Sequence, residues 1–162
     1  MATSPGKFLT IAGVAIFTCV SFAQDLNPFI GTWDIDLAAS SFGSATAPKN
    51  MSRVYEDAGN GSYMFLVVSI AEDGSIGGSS ATYKFDSKEN PLASLSLTAP
   101  TTISYIQNNE KTVQYTVRVD GRVSQIGAKT ISPDGRILTI AIQTFSAEGD
   151  INNQILKFNR RR

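Results

Sequence analysis

From Met51 onward apolar and polar residues alternate with a period of two, in runs of about eight to ten residues separated by compact turns, which is the pattern of strands and not of helices. The spacing predicts strands over 51–57, 62–71, 76–86, 101–107, 111–119, 122–131, 136–145 and 150–159. In the fifth of these, Val113, Tyr115, Val117 and Val119 share one face and Thr112, Gln114, Thr116 and Arg118 the other. Leu138, Ile140 and Ile142 repeat the pattern against Thr139, Ala141 and Gln143, whereas Met64, Leu66, Val68 and Ile70 oppose Tyr63, Phe65, Val67 and Ser69, so that strand is apolar on both faces. Asn60-Gly61, Asp73-Gly74, Asp120-Gly121 and Asp134-Gly135 join a residue that tolerates positive φ to a glycine, as tight antiparallel hairpins require. Gly77-Gly78-Ser79-Ser80 predicts a bulge or sharp bend. Residues 87–100 are the least regular, with Pro91 and Pro100, and allow at most a short strand near 94–97.

Ahead of this meander stands Asn27 to Leu37, which holds the single tryptophan. Gly31, Trp33, Ile35 and Leu37 form one apolar side of a strand, with Thr32, Asp34 and Asp36 on the other. Gly31 lets another segment approach the backbone, and the Trp33 indole is large enough to close one end of a barrel. That makes nine strands, and an all-β, antiparallel up-and-down barrel of about eight to ten strands is the economical way to leave no sheet edge exposed. A two-sheet sandwich satisfies the same pattern. Residues 25–30 allow one helical turn, and 38–49 form a long loop in which Phe42 is the natural anchor of a flap over the open end.

The first residues change the picture of where this barrel works. Lys7, the apolar run Phe8 to Val20, and Ser21-Phe22-Ala23 read as a secretory signal peptide over 1–23, too short for a membrane span, leaving 24–162 as one domain. An exported protein is expected, periplasmic or extracellular; Thr18 and Phe17 before Cys19 fit a lipoprotein signal poorly. Past residue 23 there is no cysteine, so packing and strand pairing must hold the fold. Without Lys7 the acidic residues outnumber the basic by one, which offers no field for nucleic acid. The tail Arg160-Arg161-Arg162 is expected to be a solvated terminus.

The chain has no histidine, which removes Ser-His and Cys-His catalysis, histidine metal ligands and histidine-bound haem. No metal site is expected; Asp34 and Asp36 share a strand face without the spacing of a calcium loop. No cofactor motif occurs. Arg53, Tyr55, Tyr105 and Tyr115 fall in phase with apolar strand neighbours and are expected to face inward, where with Phe42 they would contact a ligand.

Gly31-Thr32-Trp33 resembles the first strand of the lipocalin and fatty-acid-binding superfamily, which carries Gly-x-Trp. With Leu37-Ala38-Ala39-Ser40-Ser41-Phe42, Ala47-Pro48-Lys49, Val54-Tyr55-Glu56, Thr82-Tyr83-Lys84-Phe85-Asp86 and Ser132-Pro133-Asp134-Gly135, the chain is similar to exported bacterial lipocalin-like proteins of unknown function. The resemblance implies a lipocalin-like barrel, monomeric, binding a small hydrophobic molecule inside, with a basic residue near its end, Lys157 or Arg160, packed over Trp33. Gly31 and Trp33 then serve barrel closure. Ser87 to Ser94 departs from the pattern and leaves that connection open. Other readings stand beside binding: a cofactor-free cyclase or isomerase using tyrosine and carboxylate groups, or a secreted interaction or inhibitor module with a solid core. An outer-membrane barrel fits poorly, for want of aromatic girdles.

Overall fold

The computed structural model describes residues 27–162; the expected signal peptide and Cys19 lie outside the described residues. It is an all-β barrel of antiparallel strands: β1 (Gly31–Ile35), β2 (Asn50–Gly59), β3 (Ser62–Ile70), β4 (Ile76–Tyr83), β5 (Asn90–Pro91), β6 (Ala93–Ser94), β7 (Thr101–Asn109), β8 (Thr112–Val119), β9 (Arg122–Ile131), β10 (Ile137–Phe145) and β11 (Ile151–Arg160). The order around the sheet is β5-β7-β8-β9-β10-β11-β1-β2-β3-β4-β6, so β1 is the staple that joins the last strand to the second. The nine expected strands are present, and two more of two residues each come from the irregular 87–100 segment.

That segment closes the barrel seam. Ser87 and Leu92 donate to Tyr105 and Thr101 carbonyls on β7 at 3.0 and 2.9 Å, and Leu95 donates to Gly78 on β4 at 2.9 Å. The segment therefore laces the two strands that would otherwise be free edges, as an exposed ladder demands. The short strand expected near 94–97 falls instead at 93–94, and the pairing at 90–91 reaches the other side of the seam.

Turn chemistry decides the hairpins. Asn60 and Asp120 sit at φ 54 and 48 before Gly61 and Gly121 at 69 and 76, the both-positive geometry of type I′ turns. Asp73 and Asp134 work differently: only their glycines have positive φ, and the carboxylates accept from the backbone N–H of Ser75 and Arg136. Of the bulge or bend expected at 77–80, the bulge is absent, since β4 pairs with β3 without a break from Ile76 to Tyr83. Register shifts occur at Asp57/Gly59, Gln107/Asn109 and between Val117 and Arg118. The glycines serve packing: a Cβ on Gly77 would lie 2.7 Å from Ser69 Oγ, and one on Gly78 would lie 2.8 Å from the Val67 carbonyl and 3.4 Å from Leu95. Leu95 so placed sits beside the outward Leu66 and Val68 and covers part of the second apolar face of β3.

The core is the inward face of every long strand. Trp33, Tyr55, Tyr105, Phe158, Leu138, Ile140 and Val113 are all but inaccessible, and removing such a side chain to alanine typically costs about 2–5 kcal/mol. Trp33 and Phe158, beside the β1–β11 pairing, belong to the end of the barrel that β1 enters. Trp33 Nε1 donates to the Phe29 carbonyl at 2.9 Å from within this floor, so its one polar atom is satisfied. The expected turn before β1 is present as an Ile30 N–H to Asn27 carbonyl bond of 3.0 Å.

Of the tail expected to be solvated, Arg161 and Arg162 are exposed, and Arg160 departs from the expectation by turning back over the floor. Arg160 lies with Cζ 4.1 Å from the Trp33 ring centroid and donates to the carbonyls of Gly135, Ile30 and Pro28. Of the two candidates for covering the tryptophan it is Arg160, in phase with the buried Leu156 and Phe158, while Lys157 points the other way. Gly31, at φ +131, leaves the room: a Cβ there would lie 2.8 Å from Arg160 Nη1. Arg161 extends outward to Asp34, which also accepts from Ser52 Oγ at 2.7 Å. These donors, Arg161 first, hold the Asp34 carboxyl below its ordinary range. Among the described residues no acidic cluster suited to a metal ion occurs, and no helix is long and apolar enough to cross a membrane.

Candidate functional site

Above the packed floor the barrel holds an inner chamber of about 200 Å³, walled by Phe65, Leu92, Ile103, Tyr105, Tyr115 and Val117 and reached by Arg53 and Lys129. Strand period explains the set. Arg53 and Tyr55 are two apart on β2, Tyr105 pairs with Tyr115 across β7 and β8, and Tyr115 pairs with Gly127 on β9, two before Lys129. Gly127 is required by the tyrosine: a Cβ there would lie 2.5 Å from ring atoms of Tyr115, so the ring lies flat over bare backbone. Gln125 then donates to Tyr115 Oη at 2.6 Å and fixes its direction.

Lys129 is the residue that inward-facing tyrosines alone did not predict. Only 3% of it is exposed, and Nζ donates to Tyr105 Oη at 2.9 Å. Four ring centroids surround the ammonium, those of Tyr105 at 4.5, Tyr55 at 4.8, Tyr115 at 5.1 and Phe65 at 5.3 Å. Ring faces are negative and attract a desolvated cation. Tyr83 stacks on Tyr105 with centroids 3.9 Å apart, backing the cage from β4.

The electrostatics follow from burial and from two cations that share one recess. Burial pushes Lys129 down, Tyr55 pulls it up, Arg53 pushes it down again, and it falls to about 8. Burial raises the Tyr55 hydroxyl, but the charges of Lys129 and Arg53 more than offset this and lower it. Tyr105 and Tyr83 are held up by burial, and Tyr115 is raised to about 12 for the same reason. Arg53 Nε and Tyr55 Oη are buried with no hydrogen-bond partner. Arg53 Cζ lies 5.2 Å from the Phe158 centroid, at the boundary between chamber and floor.

Of the residues expected to line a site, Arg53, Tyr55, Tyr105 and Tyr115 converge around Lys129. Phe42 does not join them. It lines a separate concavity of about 440 Å³ at the barrel mouth with Met51, Ile76 and Leu156. Its loop is pinned: Ser41 exchanges backbone hydrogen bonds of 2.7 and 2.8 Å with Ile155, and Asn152 holds the Phe42 carbonyl and the Ser44 N–H. A third concavity, about 630 Å³, lies on the outer face of β7–β11 around Ile106, Ile126 and Ile155 and has no charged side chain.

No protein-family model matches the chain, and no curated protein matches it. Among solved structures it is similar to the crystal structure of Rv2717c from M. tuberculosis, with a TM-score of 0.57 and 15% identity over 86% of this chain and 96% of that one. At that identity the likeness concerns the barrel alone.

Proposed function

We propose that the protein is an exported, lipocalin-like binding protein that holds one small, mainly apolar molecule in the inner chamber. The observation that carries this reading is the chamber itself, a recess of about 200 Å³ in which apolar side chains such as Phe65, Ile103 and Val117 face polar ones such as Ser124, Gln125, Arg53 and Lys129. Its size limits the ligand. Sites for drug-sized molecules usually span roughly 300–1,000 Å³, whereas a dry cavity of about 150 Å³ holds a benzene ring. A one-ring aromatic or a short aliphatic molecule fits, and a long-chain lipid does not.

Saturation-transfer NMR with a panel of such molecules, alongside thermal-shift measurements on the mature protein, tests the reading. Binding should be lost in Ser79→Leu, which fills the chamber from the β4 wall. Failure of every molecule of that size to bind, or binding unaffected by the filled chamber, refutes it.

A second reading rests on a different observation. The lowered Tyr55 hydroxyl and the Lys129 ammonium, lowered to about 8, place side by side two groups that release protons more readily than usual, an arrangement suited to moving protons on a bound substrate. It predicts turnover of a carbonyl-bearing ligand, with a pH profile that Tyr55→Phe abolishes. Binding without hydrogen exchange at the carbon beside the carbonyl group would exclude it.

A further inference from the structure

The chamber brings two cations together and supplies no anion. The described ion pairs are Lys88 with Asp86, Arg118 with Glu89 and Arg161 with Asp34, so among the described residues no carboxylate reaches Arg53 or Lys129. Apart from the tyrosine hydroxyls, their negative surroundings are ring faces, which attract charge without accepting the N–H donors in line. The ammonium has three donors and spends one on Tyr105 Oη; Arg53 Nε and Tyr55 Oη make no hydrogen bond of good geometry, the Tyr55 hydroxyl standing beside both cations, whose charges hold it down. Buried donors left open cost free energy, and open donors on two adjacent cations cost more than most. The position of Arg53 and Tyr55 is not accidental to the fold: register places both on the inward face of β2, beside Trp33 and Gly31 of β1 respectively.

We propose that Arg53, Lys129 and Tyr55 form an anion subsite, and that the ligand of the chamber is a small carboxylic acid bound as its carboxylate. This rests on the interior-binding reading and narrows it. The guanidinium fork matches the two oxygens of a carboxylate, and charge-assisted hydrogen bonds of this kind are the strong ones. The Tyr55 hydroxyl and the free ammonium donors take the remaining lone pairs. The ring or short chain of the acid lies against Phe65, Ile103 and Val117, which carry no polar side-chain atom.

The bound carboxylate must act back on the groups it meets. Facing Lys129 are Arg53 and Tyr55 from β2, Tyr105 from β7 and Tyr115 from β8, with Tyr83 of β4 behind Tyr105. A negative charge placed here favours the protonated forms of Lys129 and Tyr55, and by linkage binding takes up protons where those groups are otherwise losing them.

The test is calorimetric titration of the mature protein at neutral pH with benzoate, benzamide and inorganic phosphate, followed by ultraviolet titration of tyrosinate with and without benzoate. Benzoate should bind at least tenfold more tightly than benzamide. Lys129→Met and, separately, Arg53→Gln should each weaken benzoate at least tenfold and bring the ratio of benzoate to benzamide affinity close to one. In the wild type, benzoate should move the first tyrosinate step to higher pH, which a merely structural lysine would not do. Equal binding of benzoate and benzamide overturns the anion subsite and leaves interior binding standing. Binding of neither overturns both. Phosphate bound in preference to benzoate overturns the carboxylate assignment, and an unmoved tyrosinate step in the unsubstituted protein overturns the placement beside Tyr55 even where a variant fails to fold.

Discussion

Replacing Arg160 by alanine removes the clasp over the barrel floor. Its guanidinium donates to the Gly135, Ile30 and Pro28 carbonyls and stacks 4.1 Å from the Trp33 centroid. A charge-assisted hydrogen bond contributes roughly 1.5–3 kcal/mol when enclosed, but Arg160 is only partly buried, and the freed carbonyls regain water, so about 1 kcal/mol for each is the appropriate figure. The cation–ring contact adds about 0.5–1 kcal/mol at such a site. The expected loss is therefore about 3–4 kcal/mol, a large share of the roughly 5–15 kcal/mol that holds a typical domain folded. At about 3–4 °C per kcal/mol for a domain of this size, the melting temperature should fall by roughly 10–15 °C. Urea unfolding followed by Trp33 emission measures it, and Arg161→Ala is the matched control. Arg161 makes a comparable number of contacts to Asp34 and Ser52 in open solvent, where water and salt compete for them and such pairs add little. Equal losses in the two variants, or less than about 1 kcal/mol for Arg160→Ala, would refute the reasoning that this terminus is part of the floor.

Gly31→Ala should destabilise by about 2 kcal/mol in the same assay, because φ +131 is strained for a side chain and the new Cβ meets Arg160 Nη1 at 2.8 Å. In Gly127→Val the Tyr115 ring has no place over β9, so near-ultraviolet dichroism from tyrosine should change and benzoate binding should be lost even where the protein still folds cooperatively. For ligand-free protein, Lys129 binds its proton less tightly folded, at about 8, than unfolded, near 10.5. The folded state thus carries fewer protons between those values, and stability should rise by about 2 kcal/mol from pH 8 toward pH 10 and be lost as pH falls through 8. Above about pH 10 the raised Tyr83, Tyr105 and Tyr115 reverse the slope, since they keep protons that the unfolded chain releases. Urea midpoints across that range, flattened in Lys129→Met, check the sign.

How far the fold was legible depends on how local its determinants are. The floor could be read from the first strand because Gly31 and Trp33 differ so sharply from their neighbours, and the inward faces of β8 and β10 because valine, leucine and isoleucine mark them at every second position. Arg160 was also in the pattern: it continues the phase of Leu156 and Phe158, and only its place in a run of three arginines made it look solvated. The seam over 87–95 was not legible, because its partners lie on β4 and β7 and nothing within the segment encodes them. The sequence makes Phe42 part of a flap over the ligand, yet its loop is tied down by Asn152 and Ile155, on a strand more than a hundred residues later.

Lys129 was missed for a physical reason. In β9 the outward Ile126 and Ala128 are apolar, the inward Gly127 gives no signal, and a lysine reads as a solvent-facing residue. The phase could have been set from Ile131, buried and two positions on, or from the cross-strand partner Ile140, which is inaccessible. A charge in phase with the core is the kind of local inconsistency that marks a functional position.

The structural and functional accounts of that lysine predict opposite signs for one substitution. If a filled barrel were all that mattered, an apolar side chain of similar length would serve better at position 129, because the buried ammonium carries a desolvation penalty that four ring faces and one hydrogen bond only partly offset. Lys129→Met should then raise stability at neutral pH by about 1–3 kcal/mol while removing the preference for benzoate over benzamide. A variant that is less stable and still discriminates between the two would place Lys129 among the structural residues, with Trp33 and Arg160. A variant that gains stability as it loses discrimination would separate the barrel into a floor that holds the fold and a chamber kept at the expense of it.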